Sequence, residues 1–140
     1  MTAPPPDAVD PAPAPARPEE RPAPLTVAAS LAGVEALLLV LFGFAELLSL
    51  TGERVAMGVT TTAFFVVYGV GLAFCAWRLA RLESWARAPV VLAQLIQLGV
   101  AWSFKDGSTT LVAVGLAVVA LVVVAGVFHP RSLTALAHDD

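Results

Sequence analysis

The sequence predicts an all-α membrane protein, an antiparallel bundle of four transmembrane helices behind a disordered Pro/Ala-rich N-terminal tail. Three observations lead there. Of 140 residues, 58% are hydrophobic and only 14% charged, with a mean hydropathy of +0.81; soluble domains average roughly 45–50% apolar and about 25% charged. Four apolar blocks follow one another, at about 25–50, 55–77, 88–104 and 107–128, and a helix needs about 20 apolar residues (about 17–25) to cross a bilayer core. The links between the blocks are short, which makes consecutive helices antiparallel neighbours. Strands are disfavoured, because an open sheet edge is not tolerated in lipid and a barrel wall would alternate apolar and polar residues.

Residues 1–24 differ in kind from the rest, with nine prolines and six alanines. Such a segment has no apolar face to bury and too few backbone donors, so it is expected to be a disordered cytoplasmic tail with polyproline II character. It does not read as a secretory signal, which would begin with basic residues and carry an apolar run of about 7–15. The first span, Leu25 to Leu50, is interrupted only by Glu35 and Glu46; the second, Val55 to Trp77, has 23 residues without a charge. The third, Ala88 to Phe104, is 17 residues long and holds Gln94 and Gln97. It is the shortest and most polar, and Arg87 and Lys105 at its ends extend it by snorkelling. The fourth, Gly107 to Phe128, is again free of charge over 22 residues. Pro89 suits a helix start, and Pro130 reads as a stop that leaves 130–140 as a short cytoplasmic tail.

With four spans, the two termini and the middle loop share one side, which carries Arg17, Arg21, Arg78, Arg81, Arg87 and Arg131; the other side carries Arg54 and Lys105. The positive-inside rule then places both termini in the cytoplasm. Trp77, Trp85 and Trp102 fall near predicted helix ends, where aromatic rings anchor a span at the headgroup level. A usage of seven arginines to one lysine, rich in Ala, Val, Gly and Pro, resembles that of a GC-rich bacterial genome, so the expected location is a bacterial cytoplasmic (inner) membrane.

Several function classes find no support. A net charge of −3 offers no nucleic-acid footprint. A single cysteine, Cys75, rules out an intramolecular disulfide or thiolate cluster, and two histidines, His129 and His138, do not make a metal site. No cofactor is expected. An intramembrane enzyme would need a paired acid and base, a nucleophile or metal ligands at membrane depth, and none is found.

Glu35 is the leading candidate residue. It lies about 15 Å into the first helix at 1.5 Å per residue, where a charge costs roughly 2.5–3.5 kcal/mol on insertion scales. It must therefore face the bundle interior and find a partner. Glu46, eleven residues on, returns to within about 20° of the same face and is a secondary polar position. In the third helix Val90, Gln94, Gln97 and Ala101 share a face, as do Thr61, Phe65, Tyr68 and Leu72 in the second and the mostly small Ala113, Ala117, Ala120 and Val124 in the fourth. Depth along the helices groups Glu35, Tyr68, Gln94 and Gln97 into an expected intramembrane polar cluster.

The stretch Arg81 to Trp102, with Trp85-Ala86-Arg87, Pro89, Gln94 and Trp102, together with Glu35 and Pro130, resembles a group of small uncharacterised four-helix membrane proteins of actinobacteria. The likeness covers roughly residues 25–135 and implies architecture and compartment, not an activity. The expected role is a structural or accessory component of a membrane complex, with the lipid bilayer and a larger membrane protein or a second copy as partners. The alternative is a small oligomeric proton-linked transporter using Glu35.

Overall fold

The protein is described by a computed structural model covering residues 21–49, 55–106 and 109–137. Most of the proline-rich tail, the first link with Arg54, Gly107 at the predicted start of the fourth span, and His138 lie outside these residues. Within them the chain is all-helical: α1 Ala23–Leu48, α2 Val55–Ala80, a 3₁₀ turn Ser84–Ala86, α3 Arg87–Ser103, α4 Thr110–Val127 and α5 Pro130–Ala137.

α1 begins two residues before the predicted Leu25, with Pro22 as its N-cap and Pro24 in its first turn. First-turn N–H groups have no intrahelical partner, so proline is tolerated there. α2 runs three residues past Trp77, adding Arg78, Leu79 and Ala80, since long basic side chains let a helix continue to the interface. It ends in a Schellman-type turn: Leu82 N–H donates to Leu79 O at 3.0 Å and Glu83 N–H to Arg78 O at 3.2 Å. Leu82 takes the left-handed conformation at φ 68°, where glycine is usual. Its side chain packs on the core, which offsets a backbone cost of about 1–2 kcal/mol.

α1, α2 and α4 are long and apolar enough to cross a membrane, which points to a membrane location. The distribution of side-chain volume supports the same conclusion. The interior is built largely from alanine, including Ala28, Ala32, Ala36, Ala86 and Ala120, each fully buried. Many of the large apolar residues face outward, among them Leu37, Leu38, Phe42, Phe64, Val67, Leu95 and Leu121. Small residues inside let helix backbones approach closely, the usual basis of packing in lipid, whereas so wide an apolar exterior is foreign to a protein surrounded by water.

α1 and α2 make the most extensive contact, and glycines set its distance. A Cβ on Gly69 would lie 2.9 Å from Ala36 O and 2.8 Å from Val40 Cγ2; one on Gly43 would lie 3.1 Å from Val66 Cγ2 and 3.2 Å from Phe65 Cβ. Late turns of α1 thus meet early turns of α2, and the reverse. α4 closes on α1 in a similar way, since a Cβ on Gly126 would stand 2.6 Å from Pro24 O. α3 packs mainly on α4 and only loosely on α2.

The C-terminal segment, expected as a plain tail, carries α5. Pro130 opens this helix as well as following α4, a position where its fixed φ is favourable. Ser132 and Leu136 turn inward and are almost completely buried, and Ser132 Oγ donates to Gly126 O at 2.7 Å. Leu136 joins Leu25, Leu79, Ala86 and Val127 at the end of the core.

Candidate functional site

The site centres on Glu35, half-way along α1, whose neighbours on the inner face, Ala32 and Ala36, leave room for side chains from other helices. α3 supplies two of them. Gln94 Nε2 donates to Glu35 Oε2 at 2.7 Å and Gln97 Nε2 donates to Glu35 Oε1 at 2.7 Å. Positions 94 and 97 are one turn apart, so their side chains emerge from one face and reach the two oxygens of one carboxyl group. The Gln97 amide also donates to Leu116 O of α4 at 3.0 Å. Three helices are therefore joined at one acid.

The cluster is fully enclosed only at Gln94. Gln94 has no exposed surface, whereas Glu35 and Gln97 are partly exposed. Gln94 Oε1 is buried without a hydrogen-bond partner, so only the amide nitrogen is paired. A buried acceptor left unpaired costs about 1–3 kcal/mol.

Tyr68 lies within electrostatic reach of Glu35 but is not hydrogen-bonded into this arrangement. No hydrogen bond joins its hydroxyl to Glu35 among the described residues; its ring stacks on Phe64, with centroids 5.8 Å apart and planes 5° from parallel. The reason lies in how α2 is turned. Gly69 fixes the α2 face against α1, and the neighbouring Tyr68, about 100° round the helix, opens onto a groove of about 330 Å³ between α2 and α3, with Leu72, Cys75, Pro89 and Ile96. Glu46 is partly exposed near the end of α1, and its side chain has no hydrogen-bond partner among the described residues.

The three tryptophans sit at or beside helix ends, and each is exposed over about half of its surface or more. Two of them carry cations on their faces: Arg81 Cζ lies 4.3 Å and Arg78 Cζ 5.1 Å from the Trp77 ring centre, and Lys105 Nζ lies 4.1 Å from that of Trp102. Trp85 Nε1 instead donates to Glu83 Oε2 at 2.8 Å, while Arg78 Nη1 bonds Glu83 Oε1 at 2.6 Å. Those two hydrogen bonds, that from Arg78 first, hold the Glu83 carboxyl below the usual carboxylate range.

Two participants were not visible in the sequence. The Leu116 contact is made by a backbone carbonyl, so no side chain could announce it. The Arg78–Glu83 pair is five residues apart, a spacing that matches no helix face and becomes a contact only because the chain reverses at Leu82. A comparison with known protein families, characterised proteins and solved structures finds no match for this chain.

Proposed function

We propose that this chain is a multi-pass protein of a bacterial cytoplasmic membrane, with four spans in an antiparallel bundle and both termini inside, and that it serves as a structural or accessory component of a larger membrane assembly. In this reading α3 also spans, as the third of the four. At 17 residues it covers about 25 Å at 1.5 Å per residue, and Arg87 and Lys105 at its ends make up the difference to a core of about 30 Å. Its outer face, with Leu92, Leu95 and Ile96 exposed, suits lipid as well as those of its neighbours.

The observation that carries the role is the use made of Glu35. Both of its oxygens already accept from glutamines of the same bundle, and Gln97 continues to a backbone carbonyl. A carboxyl group engaged in this way fixes helix register, which is what polar side chains commonly do between membrane helices. The test is recovery of the full-length chain from its native membrane in mild detergent. A larger membrane protein in fixed ratio is the expected result; recovery of the chain alone overturns the accessory role.

A second reading, a small oligomeric proton-linked carrier, has one observation in its favour: the unpaired Gln94 Oε1 beside the deepest acid of the chain. A proton on Glu35 would give that oxygen a donor once the amide turned over. Glu35→Gln removes the titratable proton and nearly preserves shape. If the variant assembles and proton uptake into vesicles is lost relative to the parent chain, the carrier reading replaces the structural one.

A further inference from the structure

A second groove runs between the first half of α1 and the last half of α2. It has a volume of about 330 Å³, and its lining includes Arg21, Thr26, Ser30, Gly33, Ala73 and Trp77. Its two ends differ chemically. At one, Arg21 stands beside the start of α1, and Arg81 lies over the face of the same Trp77 that lines the groove, 4.3 Å from its ring centre. At the other, Gly33 and Ala73 present almost no side chain, and a Cβ on Gly33 would meet nothing within 4 Å. The interval from Leu25 to Gly33 is about 12 Å at 1.5 Å per residue, within the ~15 Å that one leaflet contributes to a bilayer core of about 30 Å.

The nearby acid, Glu83, acts on Arg81 only through its charge and forms no ion pair with it. Both oxygens of Glu83 are engaged, one by Arg78 and the other by Trp85, and neither Arg21 nor Arg81 forms an ion pair among the described residues. The groove thus offers Arg21 and Thr26 at its mouth, with Arg81 held beside it on the Trp77 ring, and beneath them a narrow channel that passes Ser30 and ends on Gly33 and Ala73. A phosphate attached to an acyl chain matches both halves; a soluble anion would use only the mouth, and an uncharged chain only the channel.

We propose that this groove holds one anionic phospholipid, with its phosphate at Arg21 and Arg81 and an acyl chain along Gly33 and Ala73. The site rests on the membrane reading given above, and on that reading it opens to the cytoplasmic leaflet. Arginine suits the role because its planar fork binds phosphate oxygens in pairs, and tryptophan because its ring settles at headgroup depth.

The test uses the full-length chain with Trp77 as its only tryptophan (Trp85→Phe, Trp102→Phe), reconstituted into phosphatidylcholine vesicles. A minor fraction of the lipid is brominated in its chains and is either phosphatidylglycerol or phosphatidylcholine. Brominated phosphatidylglycerol is expected to quench Trp77 as though enriched about ten- to thirty-fold over its bulk fraction, the enrichment two basic residues near a surface provide. Brominated phosphatidylcholine should show no enrichment, and soluble glycerol phosphate should not displace the lipid. Arg21→Gln with Arg81→Gln should abolish the preference. Gly33→Leu should reduce it several-fold with helix content and melting unchanged, because its side chain enters open space. Equal quenching by the two lipids overturns the site, as does a preference that survives Gly33→Leu, since that would be bulk attraction to a charged surface. Displacement by glycerol phosphate overturns it in favour of a soluble anion. Failure of the chain to float with the vesicles removes the membrane reading and the site together, whereas flotation with equal quenching removes the site alone.

Discussion

The α1–α2 seam and the Glu35 junction hold helices together by opposite means. Along the seam Gly43 and Gly69 bring backbones within van der Waals range, Phe42 meets Phe65 edge-on with ring centres 5.2 Å apart, and no side-chain hydrogen bond crosses it among the described residues. At the junction α1, α3 and α4 are joined by three hydrogen bonds from two amides. In lipid the hydrophobic effect does not drive helices together, because the surroundings are as apolar as the interface. Shape and polarity remain, and this chain assigns each to a different interface. The seam depends on absent atoms and should fail when atoms are added. The junction depends on present atoms and should fail when they are removed.

The largest effect is expected at the seam. Gly69→Val places a branched side chain against the carbonyl of Ala36, which belongs to a helix backbone and cannot rotate away. A loss of ~3 kcal/mol, the upper part of the usual range for overpacking, should be seen in detergent unfolding. Gly71→Ala, which faces open space two residues on, should be neutral. Equal losses at 69 and 71 would show that close approach at 69 is not responsible, since alanine is the better helix former and cannot lose stability at 71 through propensity.

The junction comes next. Glu35→Leu leaves the fully buried Gln94 without its partner and Gln97 with only Leu116 O, a loss of about 2 kcal/mol. Glu35→Gln keeps part of the hydrogen bonding and should lose about 1 kcal/mol. Hydrogen exchange should locate the weakening in α3 and α4 while α1–α2 stays protected; uniform weakening would mean that the two interfaces are not separable.

A smaller effect of opposite sign belongs to the seam. Thr62 Oγ1 is buried without a partner, so Thr62→Val removes a polar atom without breaking a bond and should stabilise by ~0.5 kcal/mol. A loss on unfolding would show that the hydroxyl does pair.

The smallest effect lies beyond both interfaces, in the turn after α2. The Glu83 carboxyl is held below its ordinary range by hydrogen bonds from Arg78 and Trp85, so its stabilisation is complete above the ordinary glutamate value. It is lost only as pH falls through the lowered folded value. Trp85 emission should be flat from neutral pH down to about 4.3 and shift only below it; a shift centred at or above that value would show the contact to be ineffective in solution.

Much of this architecture could be read from residue type and spacing. The apolar blocks mark the helices to within a few residues because charge near mid-bilayer is costly, and a deep acid such as Glu35 needs a polar partner, which the chain supplies only sparingly. The glutamines of α3 follow from that scarcity. Tyr68 shows where this reasoning stops. Depth grouped it with the acid, but the rotation of α2 is set by the glycine at 69, and hydropathy is blind to a missing side chain. The helix at Pro130–Ala137 was hidden for another reason: Ser132 and Leu136 are one turn apart, but eight residues are too few for a periodic pattern to stand out from a tail.

Gln97 binds α4 through Leu116 O, and α4 has little else to distinguish one of its sides from another, being Leu, Val, Ala and Gly throughout after Thr110. What α3 recognises is main chain, which every substitution leaves in place. Drift among the outward aliphatic residues on α4 should therefore be nearly silent, provided the buried Ala113 and Ala120 and the close-packed Gly126 stay small. Related chains should diverge fastest in the helix that looks most strictly hydrophobic, and most slowly at the two glutamines that hold it.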